Sequence, residues 1–185
     1  MLILASRSPR RRELLSYITE NFEIIPARGE EKADKALPPA EYVMRLAADK
    51  ASEVAAEHPD DTVIGSDTVV CVDGQLLGKP ADKADAVRML KLLSGREHSV
   101  FTGVCVIREG KEHIFVHETK VVFYPLSDRE IEEYAESGEP MDKAGAYGIQ
   151  GRGALLAEKI DGDYYSVMGL PIAALARVLR DIGEI

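Results

Sequence analysis

Three groups of residues have types and spacings suited to chemistry. Ser6, Ser8, Arg10, Arg11 and Arg12 crowd the start of a helix, Lys50 falls on the apolar stripe of another, and Asp67 interrupts an apolar β-rich run. The first two groups supply donors for an anion; the third supplies a carboxylate in surroundings where an unpaired charge is costly.

The opening MLILASRSPRRRELL places Ser8 at an N-cap position, Pro9 at the first helical position, and Leu14, Leu15 and Ile18 at helical spacing behind them. Three arginines then fill the first turn. A helix start already carries about half a positive charge, so cations there are disfavoured by roughly 0.3 to 1 kcal/mol each. A capping box would also want Glu or Gln where Arg11 stands. A bound polyanion reverses that penalty, because free backbone N–H groups, hydroxyls and guanidinium forks are what a phosphate chain requires. A basic surface turn paired with carboxylates is the plainer alternative. Successive helical residues diverge by about 100°, so the three side chains do not converge, and Arg12 reads as ordinary surface.

Lys50 lies four residues after Leu46 and four before Val54, on the stripe that also holds Val43 and Ala47. Snorkelling is the ordinary reason for such a lysine. Asp67 stands within Gly65-Ser66-Asp67-Thr68, at the centre of an apolar run over 62–72. An Asp73-Gly74 hairpin signal follows, with a return strand reaching Gly78-Lys79-Pro80 that can bring Lys79 back near Asp67.

The elements that must position these residues form an irregular α/β alternation. Strands are expected at 2–5 and 22–26, and helices at 9–19 and from Ala40 to about Glu57. Asp82 caps a helix running through Leu93 and stopped by Gly95, strands follow at 98–107 and 113–124 around Glu109-Gly110, and a capping box at Ser127 to Glu130 opens a helix to Ser137. The glycine-rich 143–153 reads as a loop, followed by a strand at 154–160, an Asp161-Gly162 turn, a short strand at 164–167 and a final helix from Pro171 to Ile182. A mixed sheet suits this order better than a doubly wound one.

The 185 residues suit one domain, 1–185, with room for a real core and no linker or low-complexity tract. With 23 Lys and Arg against 32 Asp and Glu, the net charge of −9 argues against a nucleic-acid polymer or a membrane surface as partner and leaves a small anionic ligand for the local basic residues. No run approaches a membrane span and the N-terminus is no signal peptide, which points to the cytoplasm. Cys71 and Cys105 read as buried free thiols.

Taken together, AlaSerArgSerProArgArg at 5–11, Glu31, Lys50 with Ala51, GlySerAspThr at 65–68, GlyLysPro at 78–80, AlaGlyAlaTyrGlyIleGlnGly at 144–151 and ValMetGlyLeuPro at 167–171 closely resemble the Maf-like (septum formation) nucleotide pyrophosphatases. The joint order and spacing cover essentially the whole chain. The resemblance implies an elongated α/β fold with a mixed β-sheet flanked by helices, two lobes around a positively charged cleft, and a shape related to inosine triphosphate pyrophosphatases. It implies hydrolysis of a nucleoside triphosphate to the monophosphate and pyrophosphate, assisted by Mg²⁺ or Mn²⁺, with a homodimer among the assembly states.

By the same resemblance Asp67 is the proton acceptor; Ser6, Ser8, Arg11, Lys50 and Lys79 hold the phosphates; and Glu31, with Asp67, holds the metal, with Glu30 as the alternative to Glu31. Arg10, Thr68 and Gln150 match the specificity positions of the dTTP/UTP type. An amide at Gln150 offers donor and acceptor to a uracil-type edge. A second reading is a nucleotide-binding regulator of cell division with little turnover. Because Asp67 and Thr68 point to opposite faces of an ideal strand, the strand is expected to end or bulge there.

Overall fold

The computed structural model describes residues 1–29 and 33–185. In chain order they form β1 (Leu2–Leu4), α1 (Pro9–Ser16), β2 (Glu23–Ile24), α2 (Pro39–Glu57), β3 (Thr62–Val72), β4 (Gln75–Leu77), α3 (Lys83–Leu93), β5 (Glu97–Arg108), β6 (Lys111–Phe123), α4 (Asp128–Glu136), β7 (Ala157–Asp161), α5 (Tyr164–Met168) and α6 (Ile172–Asp181). Short 3₁₀ turns occupy Glu139–Asp142, Ala144–Ala146 and Gly151–Leu155. Among the described residues the seven strands make a mixed sheet in the order β2-β1-β3-β5-β6-β7, with β4 paired to β3 off that path. No helix among these residues is long and apolar enough to cross a membrane.

The chain divides into two compact units. The first comprises Met1–Asp67, Thr102–His117 and Gly169–Ile185. Here β1 runs parallel to both β2 and β3, a pairing that the connecting helices α1 and α2 make possible. Its core gathers Ile3, Ala5, Ala47, Ala51, Val54, Val63, Cys105 and Ile107. The expected stripe on α2 is the buried one, comprising Tyr42, Val43, Leu46, Ala47, Ala51 and Val54. Small residues let this helix lie close: a Cβ on Gly65 would meet the Ala47 carbonyl oxygen and stand 2.8 Å from Ala51 N, and one on Gly103 would stand 2.6 Å from Val43 O.

The second unit comprises Thr68–Phe101 and Glu118–Met168. Its core combines β3 and β4 residues Val70, Val72 and Leu77 with Met89, Leu90 and Leu93 of α3, Ile131 and Tyr134 of α4, and Val121, Phe123 and Tyr147. Each such large side chain contributes roughly 1.5 to 3 kcal/mol on burial. The β3–β4 hairpin closes through Asp73 (φ 50°) and Gly74 (φ 74°), the two left-handed residues that a twisted two-residue turn requires. The Ser127–Glu130 capping box forms with both reciprocal bonds, and Gly138 at φ 74° follows the end of α4.

Four expectations are corrected. Residues 164–167 are not a strand but part of α5: Asp163 Oδ1 accepts from Tyr165 N at 2.8 Å and Ser166 N at 3.4 Å, so a side-chain cap overrides the β-propensity of two tyrosines. The final strand begins at Ala157 rather than 154, because Gly151–Leu155 coils into a 3₁₀ turn. Of the expected end or bulge at Asp67 and Thr68, the end does not occur: β3 continues to Val72. Its neighbours change along its length: residues 62–64 pair with β1 and 70–72 with β4, while β5 is its other neighbour in the sheet. Cys71 is half-buried rather than buried, and both cysteines are free thiols.

Candidate active site

In the first unit Ser8 caps α1 as its sequence indicates, with Arg11 N donating to Ser8 Oγ at 3.4 Å and Pro9 in the first turn. Ser8 N in turn donates to Ser6 Oγ at 3.2 Å. The Arg11 side chain folds back over this turn, with Nε donating to Gly169 O at 2.8 Å and Nη1 reaching Ser6 Oγ at 3.4 Å. Fully buried Ser66 donates to the same carbonyl at 3.0 Å. Ser6, Ser8 and Arg11 are therefore one hydrogen-bonded group, locked to β3 through the carbonyl of Gly169. Arg10 is half-buried and Arg12 exposed.

Lys50 and Asp67 are brought together directly: Lys50 Nζ donates to Asp67 Oδ1 at 2.5 Å, with the side chains 21% and 13% exposed. Gly65 explains the reach. By admitting the backbone of α2 it brings Lys50, one residue before Ala51, within a side-chain length of a carboxylate two residues further along β3. The ammonium supplies the partner that a mostly buried carboxylate needs. On the same helix Glu53 accepts from Arg28 N at 2.6 Å and Gly29 N at 2.9 Å, bonds that hold its carboxyl below the usual range. Glu31, with its neighbour Glu30, lies outside the described residues.

In the second unit the glycine-rich loop and the Gly78-Lys79-Pro80 segment meet. Gly145 N donates to Gly78 O at 3.1 Å, and Gly145 packs against Val70 of β3 so closely that a Cβ there would stand 2.6 Å from Cγ2 of that valine. Thr68 is half-buried; Lys79 and Gln150 are exposed. Ala146, fully buried, holds φ 62°, a strained value for a residue with a Cβ. Next to it Tyr147 OH lies 2.6 Å from His98 Nε2, both edge-on to Phe123. Burial pushes the His98 imidazole down to about 4 and the Tyr147 phenol upward.

The family model described as "Maf-like protein" matches residues 1–182. The chain is a Maf-like protein. It is 54% identical to the dTTP/UTP pyrophosphatase of Bacillus velezensis over 180 residues, 97% of this chain and 95% of that protein. It is 51% identical to the dTTP/UTP pyrophosphatase of Bacillus pumilus over 182 residues, 98% and 96% of the two chains. Over 184 residues it is 52% identical to the dTTP/UTP pyrophosphatase of Carboxydothermus hydrogenoformans, 98% of each.

Reading this Maf-like chain as sequence passes over Ser66, Gly169 and Glu53. Their contributions are a hydroxyl, a carbonyl and a carboxylate aimed at backbone or at residues far along the chain, and no local period marks such contacts. Among its described residues no three His, Cys, Asp or Glu side chains group to hold a metal. A Mg²⁺ carried mainly by phosphate oxygens takes only one or two carboxylates from protein, and Asp67 is a hard oxygen donor of that kind. The donor chemistry of the Maf-like chain thus fits such an ion.

Proposed function

We propose that this chain is a nucleoside triphosphate pyrophosphatase that hydrolyses dTTP and UTP, and modified pyrimidine triphosphates of similar shape, to the monophosphate and pyrophosphate. One observation carries the reading: identity of 51 to 54%, over nearly the full length of both chains, with proteins bearing that name. The pairing of Lys50 with Asp67 supports it from the side of chemistry, since it puts a mostly buried carboxylate and a cation together.

In this reading the Asp67 carboxylate takes a proton from water as the water oxygen attacks the α-phosphorus. The bond from that phosphorus to the bridging oxygen breaks, and pyrophosphate leaves with the bond's electron pair. Lys50 fixes the orientation of Asp67 through Oδ1. The start of α1, with Ser6, Ser8 and Arg11, offers hydroxyl, backbone N–H and guanidinium donors to phosphate oxygens, and Lys79 adds a cation. Arg10, Thr68 and Gln150 set the choice of base. A divalent cation such as Mg²⁺ or Mn²⁺ neutralises the phosphates and the leaving group when bound, and Asp67 and Glu31 are the carboxylates that would hold it.

The test is pyrophosphate release with Mg²⁺ or Mn²⁺, and with excess chelator, across dTTP, UTP, CTP, GTP, ATP and 7-methyl-GTP, with wild type beside Asp67→Asn. Turnover concentrated on dTTP and UTP, abolished by chelator and by the substitution, is the expected result. No turnover with any triphosphate overturns the reading.

A further inference from the structure

The loop that bears Gln150 is pinched at its base by two side chains from outside it. Tyr134, on α4 and 4% exposed, accepts from Gly148 N through its hydroxyl at 3.1 Å and donates to Glu139 Oε1 at 2.9 Å. Glu139 then closes the other side, its carboxylate accepting from Gly153 N at 3.0 Å and Arg152 N at 3.2 Å. No side chain caps the 3₁₀ turn Gly151–Leu155 from its own N-cap, Gln150. Glu139 supplies the acceptor from a distance instead. The amides on either side of Gln150 thus converge on one Tyr-Glu pair.

Space is as restrictive as bonding. A Cβ on Gly153 would stand 2.8 Å from Tyr134 OH and run into the carbonyl oxygen of Gly148, and one on Gly151, whose φ is 63°, would stand 2.9 Å from Glu139 Oε2. The six residues 148–153 therefore close on themselves, with Ile149 buried and Gln150 exposed. Lys143 Nζ donates to the Glu139 carbonyl at 2.7 Å and holds the carboxylate's own backbone. Burial drives the Tyr134 phenol well above its ordinary value, which keeps it a donor.

We infer that Tyr134 and Glu139 are positioning residues for base selectivity, fixing through the amides of Gly148, Arg152 and Gly153 the direction in which the Gln150 amide is presented. The inference rests on the proposed role of Gln150 in reading the base. A free six-residue loop would spend its binding energy on ordering; a pinched one presents its amide already oriented. Loss of the pinch should weaken recognition of the base more than the chemistry at the phosphates.

The test measures kcat and KM for UTP, dTTP, CTP and GTP in wild type, Gln150→Ala, Glu139→Ala, Glu139→Gln, Tyr134→Phe and the double variant Glu139→Ala/Gln150→Ala, alongside amide exchange at residues 148, 152 and 153. Glu139→Ala is expected to raise KM for UTP and dTTP by roughly tenfold, the order of coupling within one hydrogen-bond network. It should also erode their preference over CTP and GTP, lower kcat far less, and speed exchange at 152 and 153. Glu139→Gln, which keeps an acceptor oxygen, should restore part of the loss. The double variant should be no worse than Gln150→Ala alone. If Glu139→Ala is too unstable to assay, Tyr134→Phe, which keeps the buried ring, decides by the same measures. A changed preference in Gln150→Ala with none in folded Glu139→Ala or Tyr134→Phe overturns the inference and leaves the role of Gln150 standing. An unchanged preference in Gln150→Ala overturns that role and this inference together.

Discussion

Lys50 Nζ and Asp67 Oδ1 stand 2.5 Å apart, joining the middle of α2 to the middle of β3. With side chains only 21% and 13% exposed, each charge depends on the other. Lys50→Met should lower stability by about 1 to 3 kcal/mol, below the full cost of breaking a wholly buried pair. Lys50→Met combined with Asp67→Asn should recover much of it. Urea unfolding of the two single variants and the double gives the coupling; strictly additive losses would mean the pair is not mutually sustaining.

Turnover should separate the two residues. A positioned general base contributes roughly 10²- to 10⁴-fold, so Asp67→Asn should lose at least that range in kcat while remaining folded. Pyrophosphate release at saturating dTTP, with circular dichroism as the check on folding, reads this directly.

Gly65 and Gly103 make a steric prediction. Alanine at either position sets a methyl against the backbone of α2, which cannot move aside like a side chain. Overpacking of this kind costs about 1 to 3 kcal/mol. For Gly65→Ala the displaced helix should also carry Lys50 away from Asp67, so turnover should fall along with the urea midpoint. Gly103→Ala, against Val43 and Met44, should affect stability more than rate.

His98 makes the fold sensitive to mild acid. Its folded value of about 4 lies below the ordinary 6.5, so the unfolded chain takes up this proton first as pH falls. The stabilising effect is whole above about pH 6.5 and is lost as pH falls towards 4, amounting to about 3 kcal/mol. His98→Phe should flatten the dependence of the urea midpoint between pH 6.5 and 5, before most carboxylates titrate. An unchanged slope would place the acid sensitivity elsewhere.

The cap on α5 gives a local prediction. Asp163 Oδ1 accepts the second and third amides of that helix, those of Tyr165 and Ser166, so Asp163→Ala should cost about 1 kcal/mol. Asp163→Ser should cost less, as seen in thermal unfolding.

Much of this molecule is written in local pattern. Ser8 and Pro9 at the start of α1, the Val43–Val54 stripe on α2, the Asp73-Gly74 turn and the Ser127–Glu130 box all form where short-range rules put them, because each depends on neighbours within a turn or two. The mixed sheet is legible for the same reason, and family membership follows from motifs whose order runs the length of the chain. Residues 164–167 misled because two tyrosines carry strand propensity while one preceding aspartate, accepting two amides, carries more. The contacts that assemble the candidate site are of another kind. Arg11 reaches a carbonyl 158 residues away, Lys50 a carboxylate 17 away across a helix-to-strand contact, and Glu139 two amides in a later turn. Such bonds depend on where packed elements come to rest, and no periodicity in the chain encodes a distance between two elements. Residue types and their order name the chemistry; tertiary packing alone determines which donor meets which acceptor.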